Sequence, residues 1–292
     1  MNWPELIELL ETVLDRPIND FSTQALHGGD INASFRLRCD EDSFFVKLNR
    51  KELLAMFESE AQGLRELAAT QTVKIPRPLL TGLAGGQAFL VTEYLTLTRR
   101  SARADRLLGQ QLALLHRQPQ AFFGWHIDNT IGRTPQINTP SDDWQAFWRD
   151  QRLGYQLELA ARHGYTGQLQ RLGERLRVAL HGLFEGYSPR PSLVHGDLWS
   201  GNAASDSDGQ PVIFDPACHY GDRETDLAMT ELFGGYSREF YDAYNETWPL
   251  DPGYTQRRDL YQLYHVLNHL NLFGGGYQHQ AEHLMQRLLA IL

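Results

Sequence analysis

The chain has 292 residues, enough for one large domain or two lobes around a sizeable core. Its 42% apolar and 22% charged content is that of an ordinary globular protein, and a net charge of −9 argues against the dense positive stripe that a nucleic-acid partner requires. With two cysteines, no CxxC pair, no basic leader segment and no apolar run long enough to span a bilayer, the composition predicts a cytoplasmic protein without disulfides or membrane contact.

The first ninety-odd residues predict a small α+β unit. A helix over about 3–14 carries Glu5, Glu8 and Glu11. Ser34–Cys39 and Ser43–Leu48 alternate like strands, joined by the turn residues Asp40-Glu41-Asp42. A helix over roughly Glu52–Ala69 is ended by Ile75-Pro76-Arg77-Pro78, because proline removes a backbone donor and disfavours helix just upstream. Phe89-Leu90-Val91 reads as a strand leading into Thr92-Glu93-Tyr94-Leu95. From about 101 onward helical spacing dominates, over Ala104–His116, Ser141–Arg162, Leu169–Phe184, Glu224–Leu232, Ser237–Glu246 and Arg257–Phe273. Two short apolar runs, Leu193-Val194 and Val212-Ile213-Phe214, interrupt that half. The expected architecture is α+β and bilobal: a sheet-bearing lobe over 1–95 and a mostly helical lobe over 96–292.

Within Ser43–Leu48, a period of two puts Phe45 and Lys47 on one face and Phe44, Val46 and Leu48 on the other. A strand-end lysine can simply reach water along its aliphatic stem. The next helix argues otherwise. Leu53, Phe57, Leu64 and Leu67 form a stripe, and Glu60 falls inside it. A carboxylate on a buried face is costly unless paired, and Lys47 is the nearest plausible partner. Upstream, Gly28 and Gly29 permit a turn whose N–H groups point at an anion; alone, such a pair is just a turn. The glycine–lysine phosphate loop of P-loop NTPases is absent from the sequence.

The most informative stretch is His195-Gly196-Asp197-Leu198-Trp199-Ser200-Gly201-Asn202, followed by Asp215 at the end of an apolar run. It keeps the register of the protein-kinase catalytic loop and of the metal-binding aspartate beyond it. In that chemistry Asp197 accepts a hydroxyl proton, and Asn202 and Asp215 supply hard oxygen ligands to Mg2+. Gly196 stands where protein kinases have an arginine that docks a phosphorylated loop. That favours a constitutively active small-molecule kinase. Asp226 is either a first-turn helix carboxylate or a buried brace for the loop backbone, and the brace is the expectation.

Together with Gly28-Gly29-Asp30-Ile31-Asn32, Asp128-Asn129-Thr130-Ile131-Gly132, Thr134-Pro135-Gln136, Phe214-Asp215-Pro216-Ala217 and Gly221-Asp222-Arg223-Glu224, these segments resemble the fructosamine kinase (ketosamine-3-kinase) family over nearly the whole chain. That family has the protein-kinase-like fold shared with aminoglycoside and choline kinases. The resemblance implies ATP-dependent phosphorylation of the sugar 3-hydroxyl of ketosamines, free or on protein lysines. Bacterial relatives prefer ribulosamines and erythrulosamines over fructosamines. The product breaks down and frees the amine, which amounts to deglycation repair.

It further implies ATP between the lobes. Backbone groups of Glu93 and Leu95 would bond adenine, Lys47 held by Glu60 would meet the α/β-phosphates, and the Gly28-Gly29 turn would cover them. Asn202 and Asp215 would hold Mg2+, Asp197 would orient the hydroxyl, and Trp199 would be either a sugar platform or a core residue. Asp197, Asp215, Asp222 and Glu224 would create a negative field for the cationic substrate amine. Asp30 replaces a cysteine that many eukaryotic members carry, so a redox switch in that loop is not expected. A monomer is the expected state. Rival readings are a kinase of an aminoglycoside or choline-like alcohol, and a nucleotide-binding pseudokinase.

Overall fold

A computed structural model describes residues 1–26 and 31–292. The sheet-bearing lobe begins with helix α1 (Trp3–Leu14), whose first turn carries Pro4 and is capped by the Asn2 side chain. It ends at Asp15 in the left-handed region, φ 53°. Strands β1 (Phe21–Leu26), β2 (Ala33–Cys39) and β3 (Asp42–Arg50) follow, then helix α2 (Leu54–Ala69), β4 (Pro78–Ala84) and β5 (Gln87–Glu93). The five strands form one antiparallel sheet in the order β1-β2-β3-β5-β4.

The alternation expected for β3 is present. Phe44, Val46 and Leu48 pack on Leu6 and Leu10 of α1, while Lys47 points to the side covered by α2. Strands β1 and β4 are not predicted from the sequence. The residues of β1 are almost all exposed, so they carry no apolar alternation. Strand β4 begins at Pro78, where the sequence marks only a helix stop. Proline is tolerated at the first residue of an edge strand, and β4 pairs on one side alone, with a register shift between Pro78 and Leu80.

The second lobe opens with α3 (Ala102–His116), capped by Ser101, and a hairpin of β6 (Asn129–Ile131) and β7 (Thr134–Gln136). A continuous helical run follows: α4 (Trp144–Phe147), a π-helical turn over Trp148–Gly154, and α5 (Tyr155–Arg162). The run starts at Trp144 and not at Ser141, because Asp143 caps it by accepting from the N–H groups of Gln145 and Ala146. Helix α6 (Gln168–Ala179) tightens into a 3-10 turn over Leu180–Phe184. Strands β8 (Ser192–Val194), β9 (Ala203–Ser205), β10 (Pro211–Ile213) and β11 (His219–Gly221) form two pairs, β8 with β11 and β9 with β10. Helices α7 (Glu224–Leu232), α8 (Arg238–Thr247), α9 (Tyr254–Phe273) and α10 (Gln278–Ile291) complete the lobe.

Helix α2 serves both lobes. Phe57, Ala61, Leu64 and Leu67 share one buried cluster with Leu90 of β5, and with Leu108 and Leu112 of α3 and Phe240 of α8. Glu66 of the same helix accepts hydrogen bonds from Trp125 Nε1 and the Tyr220 hydroxyl. Among the described residues, no helix is long and apolar enough to cross a membrane, and both cysteines are buried and unpaired.

Candidate active site

The loop after β8 is held from behind. Asp226, fully buried in the first turn of α7, accepts from the N–H of His195 at 2.7 Å and from that of Gly196 at 2.8 Å. His116 of α3 places Nε2 3.1 Å from the same carboxylate, and its Nδ1 lies 2.8 Å from the Tyr244 hydroxyl. Burial alone would raise the Asp226 carboxyl. The hydrogen bond and charge of His116 and the loop N–H groups outweigh it and hold the group below the ordinary carboxylate range. Position 196 accepts only glycine: its φ is +82°, and a Cβ there would fall 2.1 Å from the Ala217 carbonyl oxygen.

The next residue, Asp197, lies in the cleft. Asn202 Nδ2 donates to its carbonyl at 2.9 Å and to its Oδ2 at 3.2 Å, and reaches the Asp215 carbonyl at 3.4 Å. The amide nitrogen of Asn202 is therefore occupied, and its oxygen is the atom available to a cation. Burial, and then the charge of Asp215, pushes the Asp197 carboxyl up to about 7.

Asp215 follows β10 with φ 59°, a conformation uncommon outside glycine. Its Oδ1 accepts from Lys47 Nζ at 2.7 Å, and Glu60 Oε1 accepts from the same ammonium at 2.6 Å. The sheet and α2 thus bring a strand lysine and a stripe glutamate together with an aspartate 168 residues away. Burial pulls the Lys47 ammonium down, but Asp215 and Glu60 more than offset it, so it sits above its ordinary value. Glu60 is raised by burial, against the opposing charge of Lys47.

These groups open onto a cavity of about 960 Å³ between the lobes, lined also by Glu93, Leu95 and Trp199. The N–H of Glu93 donates to the Arg77 carbonyl at 2.9 Å, and the Glu93 carbonyl accepts from the Thr92 hydroxyl at 3.1 Å, keeping one lone pair unused among the described residues. Gly28, Gly29 and Asp30 lie outside the described residues. Trp199 is 40% exposed, which rules out the core alternative. Its ring covers Gly201, where an added Cβ would fall 2.2 Å from it, and meets Phe233 edge-on at 6.4 Å. Phe233, His269, Phe273 and Tyr277 continue that wall of the cavity. Phe233 follows α7, whereas His269 and Phe273 are four residues apart on α9; the sequence assigns none of the four a role, since aromatic residues at helical spacing read as core.

The field expected from four acidic residues needs correction. Asp222 and Glu224 are fully buried and do not line the cavity. Asp222 accepts from the hydroxyls of Tyr261 (2.6 Å) and Tyr187 (3.0 Å), and Glu224 forms a two-pronged pair with Arg257 at 2.7 and 2.9 Å. The carboxylates that line the cleft are Glu60, Glu93, Asp197 and Asp215, and the Lys47 ammonium is shared between Glu60 and Asp215.

A family model for fructosamine kinase matches residues 2–291. A protein named Probable ketoamine kinase, from Synechocystis sp., is 44% identical over 299 residues, 99% of this chain and 97% of its own length. Protein-ribulosamine 3-kinase, chloroplastic, from Arabidopsis thaliana is 44% identical over 269 residues, 91% of this chain and 82% of its own. A solved structure assigned as a fructosamine-3-kinase, from Haemophilus somnus, matches with a TM-score of 0.90 at 27% identity, covering 99% of this chain and 98% of its own. The two-lobed, protein-kinase-like α+β fold expected from the sequence is therefore the fold of this chain.

Proposed function

Because the chain belongs to the fructosamine kinase family, we propose that it transfers the γ-phosphoryl group of ATP to the sugar 3-hydroxyl of ketosamines, freeing the amine when the product decomposes. The observation that carries this reading is the convergence of Lys47, Glu60, Asp197, Asn202 and Asp215 on one cavity, with Lys47 bonded to both Glu60 and Asp215. The rival small alcohols weighed on the sequence give way to the family assignment, and a pseudokinase is disfavoured by the complete set of five.

ATP would bind between the lobes, where the Glu93 carbonyl and the Leu95 N–H would hold its base and Lys47 would meet its α/β-phosphates. Among the described residues, no group of three or more His, Cys, Asp or Glu side chains is placed to hold a metal. That suits Mg2+, which takes only one or two protein oxygens alongside substrate phosphates and water. The Asn202 amide oxygen and the Asp215 carboxylate are hard donors that fit it. When bound, the ion neutralises charge on the transferring group. Asp197 accepts the 3-hydroxyl proton, the oxygen forms its bond to phosphorus, and ADP leaves. Asp226 holds the loop backbone so that Asp197 keeps its aim. Lys47, Glu60, Asp197, Asn202 and Asp215 all come from one chain, and we take a monomer as the working form. The unpaired cysteines support a reducing compartment, and we take it to be the cytoplasm.

The test is a phosphorylation assay on ribulosamine, erythrulosamine and fructosamine adducts of lysine, with product position read by NMR. Phosphate on the 3-hydroxyl of at least one adduct is expected, with the shorter sugars preferred. ATP consumption that no ketosamine stimulates would overturn the reading. In the same assay Trp199→Ala is expected to raise the ketosamine KM roughly three- to thirty-fold, the loss of one aromatic face for a cationic ligand, and to leave the ATP KM unchanged. An equal rise in both constants would deny Trp199 a substrate role.

A further inference from the structure

In protein kinases the segment after the metal-binding aspartate is ordered by phosphorylation, through new arginine–phosphate pairs. Here the arginine is replaced by Gly196, and the carbonyl of Ala217 fills the space where a side chain would begin. That carbonyl is gripped. Gln136 Nε2 donates to it at 3.1 Å, and Asn129 Nδ2 donates to the next carbonyl, Cys218, at 2.8 Å. The Ala217 N–H donates to the His195 carbonyl at 2.9 Å, which closes the segment onto the catalytic loop.

Both amides are buried, Gln136 at 1% and Asn129 at 8% exposure, and both are fixed in orientation. Gln136 Nε2 also donates to Asn129 Oδ1 at 2.9 Å, and the Tyr264 hydroxyl donates to Gln136 Oε1 at 2.7 Å. Asn138 Nδ2 donates to Asn129 Oδ1 at 2.9 Å, and the fully buried Arg152 donates to Asn138 Oδ1 at 2.7 Å. Oxygens and nitrogens of Asn129 and Gln136 are all used, so neither amide can turn over without losing partners.

We propose that the β6–β7 hairpin is a built-in substitute for activation-segment phosphorylation. Asn129 and Gln136 are positioning residues: they hold Pro216–Cys218, and through that segment keep the Asp215 carboxylate at the metal site. The proposal rests on the reading of Asp215 as a metal ligand. It also accounts for the left-handed φ of Asp215, since such a residue persists only where its surroundings over-determine it.

Asn129→Asp and Gln136→Glu keep shape and acceptor oxygens but remove the donor to the carbonyl; Gln136→Met serves if the added carboxyl prevents folding. In the full chain, the backbone amides of Asp215 and of residues 217–221 are expected to exchange hydrogen about tenfold faster than in the wild type, the effect of one lost buried hydrogen bond. Affinity for ADP with Mn2+ should fall by about the same factor, and affinity for ADP in a chelator should stay unchanged. Exchange at the wild-type rate would overturn the clamp and leave the metal reading standing. Equal weakening of ADP with and without metal would also overturn it, by showing a general loosening. A wild type that binds ADP equally in Mn2+ and in chelator would instead overturn the metal role of Asp215.

Discussion

Replacing Asp197 with asparagine is expected to lower turnover about 10²–10⁴-fold while nucleotide affinity survives, the usual cost of losing a positioned proton acceptor. The substitution keeps the shape that Asn202 bonds to and removes only the basic oxygen. Nucleotide affinity is expected to survive because Lys47, Glu60 and Asp215 are untouched. The pH profile adds a second reading. Asp197 must be ionised to accept a proton, and burial, then Asp215, holds its carboxyl near about 7. A cation shared by Asp215 and Asn202 stabilises the ionised form, so the acidic limb of kcat should move to lower pH as metal concentration rises. Steady-state kinetics with a separate nucleotide titration checks both. Turnover within a few-fold of the wild type would remove Asp197 from the chemistry.

Lys47→Met carries the second large effect. A lost charged donor at the phosphates is expected to cost on the order of 10²–10³ in kcat/KM for ATP. It also leaves a buried carboxylate without its partner, at a cost of roughly 3–5 kcal/mol when that carboxylate is ionised. The sign of the pH dependence follows. Burial already raises Glu60, and Lys47 is the charge that opposes it. Without the lysine, burial and Asp215 both raise it. The folded variant then holds a proton that the unfolded chain releases, so the contribution is favourable at low pH and is lost as pH rises through the folded pKa. Thermal melts between about pH 5 and 8 should show the variant losing stability with rising pH more steeply than the wild type. Parallel curves would mean that Glu60 does not depend on Lys47.

Much of this site is legible in sequence because its signals are local. A period of two orients Lys47, a helical stripe marks Glu60 as inward-facing, and the spacing from Asp197 to Asn202 fits within one loop. What escapes lies in long-range pairing. Strand β1 is polar because it is an exposed edge, and β4 hides behind a proline that is harmless at its first position. Helix α10 differs: Ala281, Leu284, Met285 and Leu288 make a stripe at helical spacing, set apart from α9 by the Gly274-Gly275-Gly276 break. The hairpin amides reach carbonyls 81 and 89 residues away, and nothing in the spelling of Asn129 or Gln136 announces that. Asp222 and Glu224 show the converse. Their charge is plain in the sequence, but Tyr187, Tyr261 and Arg257, which take it out of the cleft, are brought there only by folding.

Helix α2 belongs to the sheet by chain order and packs on β4 and β5, yet it also reaches β6 of the helical lobe. A cut after residue 95 would divide the buried cluster that Phe57, Ala61 and Leu64 share with Leu108, Leu112 and Phe240, and deprive Glu66 of Trp125 and Tyr220. Heat is therefore expected to melt the chain in a single transition whose calorimetric and van't Hoff enthalpies agree, and two separate transitions would mean that the lobes unfold independently.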